Sequence, residues 1–257
     1  MESAPGPIGT GGEMGAGSRL FNVYFSPSQV FESIGRKRGW DFLIPIVILL
    51  ALTILGAMII APKIDVDDAV RMQMQRMEKI RPGMTDGDRA KIEEQSRKSM
   101  TAFTSGPLRF VATVFALIPI LLVPLFYHGI ASAFGAGTKY LTVVAGYAYV
   151  QMVQVIKGIL MLAVAAPRKS IGMLEVNSLL KSNLGAFLDP ETTSRPLLTL
   201  ASSVDIFEIW AIVVGSIALS RVTRLTPKAA ALTVTGLWLA WVCLQLVGAL
   251  IGSAFGG

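Results

Sequence analysis

The chain is poor in the residues on which most chemistry depends. It has 257 residues with a single cysteine, Cys243, and a single histidine, His128. One thiol cannot build a disulfide framework or a thiolate metal site within one chain. Only 16% of residues are charged, against about 25% in a soluble domain. No Walker A sequence occurs, so the chain is not itself a nucleotide-driven motor. No carboxylate pair has metal-site spacing, and no cofactor or metal is expected. The start, MESAPGPIGTGGEMGAGSRL, has no basic segment followed by an apolar one. It predicts no cleavable signal peptide. Its Gly, Pro, Ala and Ser content predicts a disordered tail over residues 1–19.

Long apolar runs are what the chain has instead. Hydrophobic residues make up 53% of it and the mean hydropathy is +0.59. Five runs stand out, at about 42–61, 110–134, 141–166, 197–220 and 229–254. A helix of about 20 residues crosses about 30 Å of hydrocarbon, and lipid offers no partners to an unpaired backbone. The expected fold is therefore an all-α polytopic bundle of five transmembrane helices in one membrane domain, residues 20–257. The net charge of +6 is spread along the chain, which favours juxtamembrane anchoring over nucleic acid.

The connections add shorter elements. In FSPSQVFESIGRKRGW, Ser26, Pro27 and Gln29 form a helix-start pattern. Val30, Phe31 and Ile34 share one side, and Arg36, Lys37, Arg38 and Trp40 come after them. This predicts an interfacial amphipathic helix with its apolar side in lipid. The segment 62–108 holds nine Lys or Arg and eight Asp or Glu. Its periodicity, broken at Arg81–Gly83, predicts an extramembrane helical hairpin over about 65–103. EVNSLLKSNLGAFL, before Pro190, reads as an amphipathic surface helix. With the N-terminus cytoplasmic, Arg36, Lys37, Arg38, Lys139, Arg221, Arg224 and Lys228 fall on the inner side. Five spans then put the C-terminus outside.

Ionisable groups inside a membrane are costly and are candidates for function. Gln151, Gln154 and Lys157 lie at i, i+3 and i+6. Ser202, Asp205 and Glu208 repeat that spacing. Lys157 is about 13 Å from the outer end of its span at 1.5 Å per residue. Glu208 is about 16 Å deep if its helix starts at Leu197 and about 3 Å deep if it starts at Ile206. Lys157 can therefore pair with Asp205 or Glu208, as a structural ion pair or as part of a substrate path. Gly248, Gly252 and Gly256, four apart, form a small-residue strip suited to packing within the bundle or in a homodimer. Ser216 and His128 carry no supporting protease motif, so no catalytic residue is expected.

The order of these features resembles the Yip family of five-span membrane proteins, named for interacting with Ypt/Rab GTPases. Three passages carry the resemblance: FSPSQVFESIGRKRGW, GAGTKY…GYAYV joining spans two and three, and DIFEIWAIVVGSIAL followed by LTPKAAA. It implies a five-span bundle with a cytoplasmic N-terminus. For eukaryotic members it implies traffic between endoplasmic reticulum and Golgi through GTPase and coat-protein contacts. The short Gly-rich tail and the 62–108 hairpin are similar to prokaryotic members. The resemblance thus leads to the expectation of a non-enzymatic protein of the bacterial cytoplasmic membrane. Its partners would be the lipid bilayer, a second copy or other membrane proteins. The alternative is a small transporter or permease subunit with a polar path around Lys157, Gln154 and Glu208.

Overall fold

The computed structural model describes residues 14–37, 39–111, 115, 117–173, 175–190 and 192–256. Among them every regular element is a helix, and pairing between extended residues is limited to two isolated bridges. The helices are α1 (Ala16–Phe25), α2 (Pro27–Arg36), α3 (Leu43–Ile59), α4 (Val66–Ile80), α5 (Asp86–Thr104), α6 (Ile118–Ala133), α7 (Tyr140–Val150), α8 (Met152–Ala165), α9 (Arg195–Ser203), α10 (Ile206–Thr223) and α11 (Pro227–Gly256).

Among the described residues, four helical stretches are long and apolar enough to cross a membrane: Leu43–Lys63, Tyr140–Ala165, Ile206–Thr223 and Pro227–Ser253. The run expected as a fifth span, 110–134, lies partly outside the described residues. Its described core is α6, of 16 residues, or about 24 Å of helix. That is shorter than the hydrocarbon thickness, so α6 does not meet the length criterion.

The core lies where α7 meets α2, α6 and α10. Small and β-branched residues let these helices approach closely: Val143, Val144, Ala145, Ala148, Val214, Ala218 and Val222 are all buried. Tyr149, Phe31 and Ile34 fill the remaining space. The periphery is the reverse of a soluble protein's. Val47, Leu55, Met58, Leu121, Leu125, Leu239, Leu244 and Leu250 are exposed along α3, α6 and α11. An apolar surface this extensive marks contact with lipid or protein.

Several local expectations are corrected. The chain is helical from Ala16, inside the segment expected as a tail; residues 1–13 lie outside the described residues. Arg19 on that helix is buried, because it is ion-paired with Asp41. Helix α2 forms over the expected residues, but Ser26 makes no side-chain cap bond. Its apolar side is not in lipid: Val30, Phe31 and Ile34 are buried against α7 and α10. Gly35 makes that contact possible, since a Cβ there would sit 3.0 Å from the Arg221 carbonyl oxygen. Residues 175–188 do not form a surface helix. Among the described residues they make two short 3-10 turns, Val176–Ser178 and Leu184–Phe187. Asn183 caps the second by accepting from the Ala186 N–H, and its backbone bridges to Asp205.

The polar segment after α3 forms two helices. Asp65 caps α4 through the Asp68 N–H and Thr85 caps α5 through the Asp88 N–H. Arg89 pairs with Glu78, and Arg97 with Asp67, across the hairpin. Both pairs are solvent-exposed and add little stability. The hairpin is tied to one end of the bundle. The Asp65 N–H donates to the Ile171 carbonyl at 2.9 Å, and the Ile171 N–H donates to the Lys63 carbonyl at 2.7 Å. Lys63 Nζ reaches the carbonyls of Ala165 and Ala166 at 3.0 and 2.6 Å. A cation there satisfies carbonyls that the end of α8 leaves open.

Candidate functional site

Asp205 organises the polar region. The run expected as one span from 197 to 220 is two helices, broken at Val204 and Asp205. Asp205 is the N-cap of α10, with an extended backbone (φ −120°, ψ 139°), and accepts the Phe207 N–H on Oδ1 at 2.8 Å. Its Oδ2 accepts from Ser182 Oγ at 2.6 Å and from Lys157 Nζ at 3.1 Å. The Asp205 side chain is 1% exposed. Burial of a carboxylate is costly unless donors surround it, and here three do. Backbone bonds from Ile206 to the Ser182 carbonyl, and from Leu184 to the Val204 carbonyl, hold the break in place. Gly185 lets the 182–188 strap press onto α9: a Cβ there would fall 2.1 Å from Ser202 Oγ and 3.0 Å from Ser202 N.

Of the two partners open to Lys157, the structure selects Asp205. Glu208 instead accepts from Gln154 Nε2 at 3.1 Å. The helix break is the reason. It places Glu208 in the first turn of α10, near the end of the helix rather than deep within it. Gln151 sits half-buried at the junction of α7 and α8, hydrogen-bonded to Tyr147.

Lys157, Asp205 and Glu208 line a half-open cavity of about 540 Å³, together with Ser202, Trp238 and Trp241. Its walls come from α4, α8, α9, α10, α11 and the connection between α8 and α9. Among the described residues no group of three or more His, Cys, Asp or Glu side chains has the geometry of a metal site. Ser216 donates its hydroxyl to the Ile212 carbonyl. His128 stacks edge-on against Tyr140, and its Nδ1 is buried without a partner among the described residues. Ser216 is therefore not positioned by His128 as a nucleophile is by its base. Gly248 has open space where a Cβ would go, while a Cβ on Gly252 would lie 3.5 Å from an Arg195 guanidinium nitrogen. Gly256 closes α11.

A second polar cluster has no counterpart in the sequence patterns. Arg19 Nη1 lies 3.1 and 2.8 Å from the two Asp41 oxygens, and Arg19 Nε donates to Ser33 Oγ at 3.1 Å. Tyr149, buried in α7, donates to Asp41 Oδ2 at 2.7 Å. Tyr24 adds a bond to the Met152 carbonyl at 2.8 Å. No local pattern announces contacts that run from α1 to a turn 22 residues later and a helix 108 residues beyond that turn.

Apolar helices of spanning length, an outward-facing apolar surface and buried ionisable groups bonded within the bundle define an integral membrane protein of the helical-bundle class. The family model for the Yip1 domain matches residues 21–253, and the chain belongs to that family. No curated protein and no solved structure matches it significantly.

Proposed function

We propose that this protein is a non-enzymatic, five-span member of the Yip1 family that organises membrane through helix packing and through contacts with lipid or partner proteins. One observation carries the reading. Lys157 is bonded to Asp205 and Gln154 to Glu208, so these groups help hold α8 to α10, while the outer faces of α3, α6 and α11 are apolar. The count of five rests on α6 completing a span together with the residues before it. A cytoplasmic N-terminus rests on the basic end of the bundle, where Gly35 of α2 meets Arg221 and Lys139, Arg224 and Lys228 flank the neighbouring helix ends. The membrane is the bacterial cytoplasmic membrane, and the partners are lipid, a second copy or other membrane proteins.

The test is recovery of the full chain in native membrane discs, with its proteins and lipids identified, alongside reporter fusions at both ends. A reproducible protein or lipid partner and opposite-side termini support the reading. Same-side termini remove the five-span topology.

The cavity favours a second reading, a small transporter or permease subunit, because Lys157 and Glu208 both reach it. Flux lost in Lys157→Met at unchanged folding supports transport. A loss of stability without loss of any flux supports the organising role.

A further inference from the structure

The cavity carries an unbalanced charge. Its ionisable lining residues are Lys157, Asp205 and Glu208, one cation against two carboxylates. Lys157 is engaged by Asp205, whose other oxygen holds the Phe207 N–H. Glu208 accepts on Oε1 from the neutral amide of Gln154, and its Oε2 has no donor among the described residues. One carboxylate charge is thus left facing the cavity.

The rest of the lining selects among cations. Trp238 and Trp241 supply two indoles, and indole is the aromatic face that attracts an ammonium most strongly. Thr199, Ser202 and Ser203 supply hydroxyl oxygens that accept from N–H. A bare metal ion wants several oxygen ligands, and among the described residues no group of three or more His, Cys, Asp or Glu has the geometry of a metal site. The volume, about 540 Å³, lies within the range of about 300–1,000 Å³ for sites that hold organic ligands. Trp241 of the lining is 60% exposed, and Leu244 on the same helix is 65% exposed.

We propose that this cavity binds an organic ammonium group, seated between the Glu208 carboxylate and the indoles of Trp238 and Trp241. The ammonium belongs either to a zwitterionic lipid headgroup entering beside Trp241 or to a free amine. The inference rests on the membrane placement proposed above but not on the choice between organising and transport roles, so a null flux result leaves it standing.

The experiment uses the full chain in discs of phosphatidylglycerol alone and in discs with added phosphatidylethanolamine. Retained lipids are read by native mass spectrometry. In a second arm, ethanolamine is titrated into the phosphatidylglycerol discs, with sodium at equal ionic strength as control, and binding is read from tryptophan fluorescence and the unfolding midpoint. Selective retention of phosphatidylethanolamine identifies the lipid source. Saturable ethanolamine binding without lipid selectivity identifies the free amine. Either way, Glu208→Gln should weaken binding at least about tenfold. Trp241→Leu, at an exposed position where the fold is not at risk, should weaken it as well. The proposal is overturned if neither ammonium is preferred over phosphatidylglycerol and sodium. It is equally overturned if both variants bind as the parent does.

Discussion

Arg19 and Asp41 form an ion pair in which one guanidinium nitrogen lies within 3.1 Å of both carboxylate oxygens, with side chains only 7% and 20% exposed. Through it the N-terminal helix is fastened to the turn that opens the first span. Tyr149 completes the connection from the centre of the bundle. Arg19→Ala leaves Asp41 half-satisfied in a site with little water, and should cost about 3 kcal/mol. The Arg19→Ala, Asp41→Ala double variant should cost less than the sum of the singles. Unfolding titrations in detergent or discs measure both. An additive double variant would show that the pair is not energetically coupled.

Asp205 and Glu208 lie three residues apart and should differ sharply. Asp205→Ala removes a helix cap, a serine bond and the partner of Lys157 together, at about 3–5 kcal/mol. Glu208→Ala removes one charge-assisted bond, at about 1.5–3 kcal/mol. Exchanging Lys157 and Asp205 should recover part of the loss of either single reversal. Equal costs at the two positions would contradict the assignment of Asp205 as the partner.

Gly35 and Gly248 test which small residues serve packing inside the chain. A valine at Gly35 meets the Arg221 carbonyl and should cost about 1–3 kcal/mol by overpacking. Proteolysis within residues 14–37 should become faster as α2 lifts. Gly248→Leu enters open space and should leave the unfolding midpoint within error. If it reduces the oligomer mass in discs, the glycine strip works between copies.

Lys63→Met should loosen the end of α8. Loss of a cation from the last carbonyls is worth about 1 kcal/mol. Hydrogen exchange should rise locally at residues 165–171, where the hairpin is bridged to the chain. Faster exchange throughout α7 and α8 instead would show that Lys63 stabilises the bundle as a whole.

Much of the architecture was legible in the sequence because the bilayer imposes a one-dimensional rule of length and apolarity. Spans over 43–63, 140–165 and 227–253 agree with the apolar runs to within a few residues. The caps at Asp65 and Thr85 arise from acceptor side chains placed just before polar helical stretches. The break at Asp205 also left a signal. An aspartate with a glutamate three residues on, before an apolar run, marks a helix start, yet within a long apolar run the same spacing reads as one face of a continuous helix. The 175–188 turns escape a local reading because Ser182 donates to the Asp205 side chain and the Asn183 backbone bridges to Asp205, both outside the segment.

Apolar patterning along the chain was sufficient to make this a helical membrane protein, since backbone groups without water must bond within their own segment. The glycine-tight contact at Gly35, the docking of α1 through Arg19 and the choice of Asp205 for Lys157 were decided only in three dimensions. Each depends on two distant segments meeting at ångström range. Hydropathy records how strongly a segment avoids water, not which neighbour it meets.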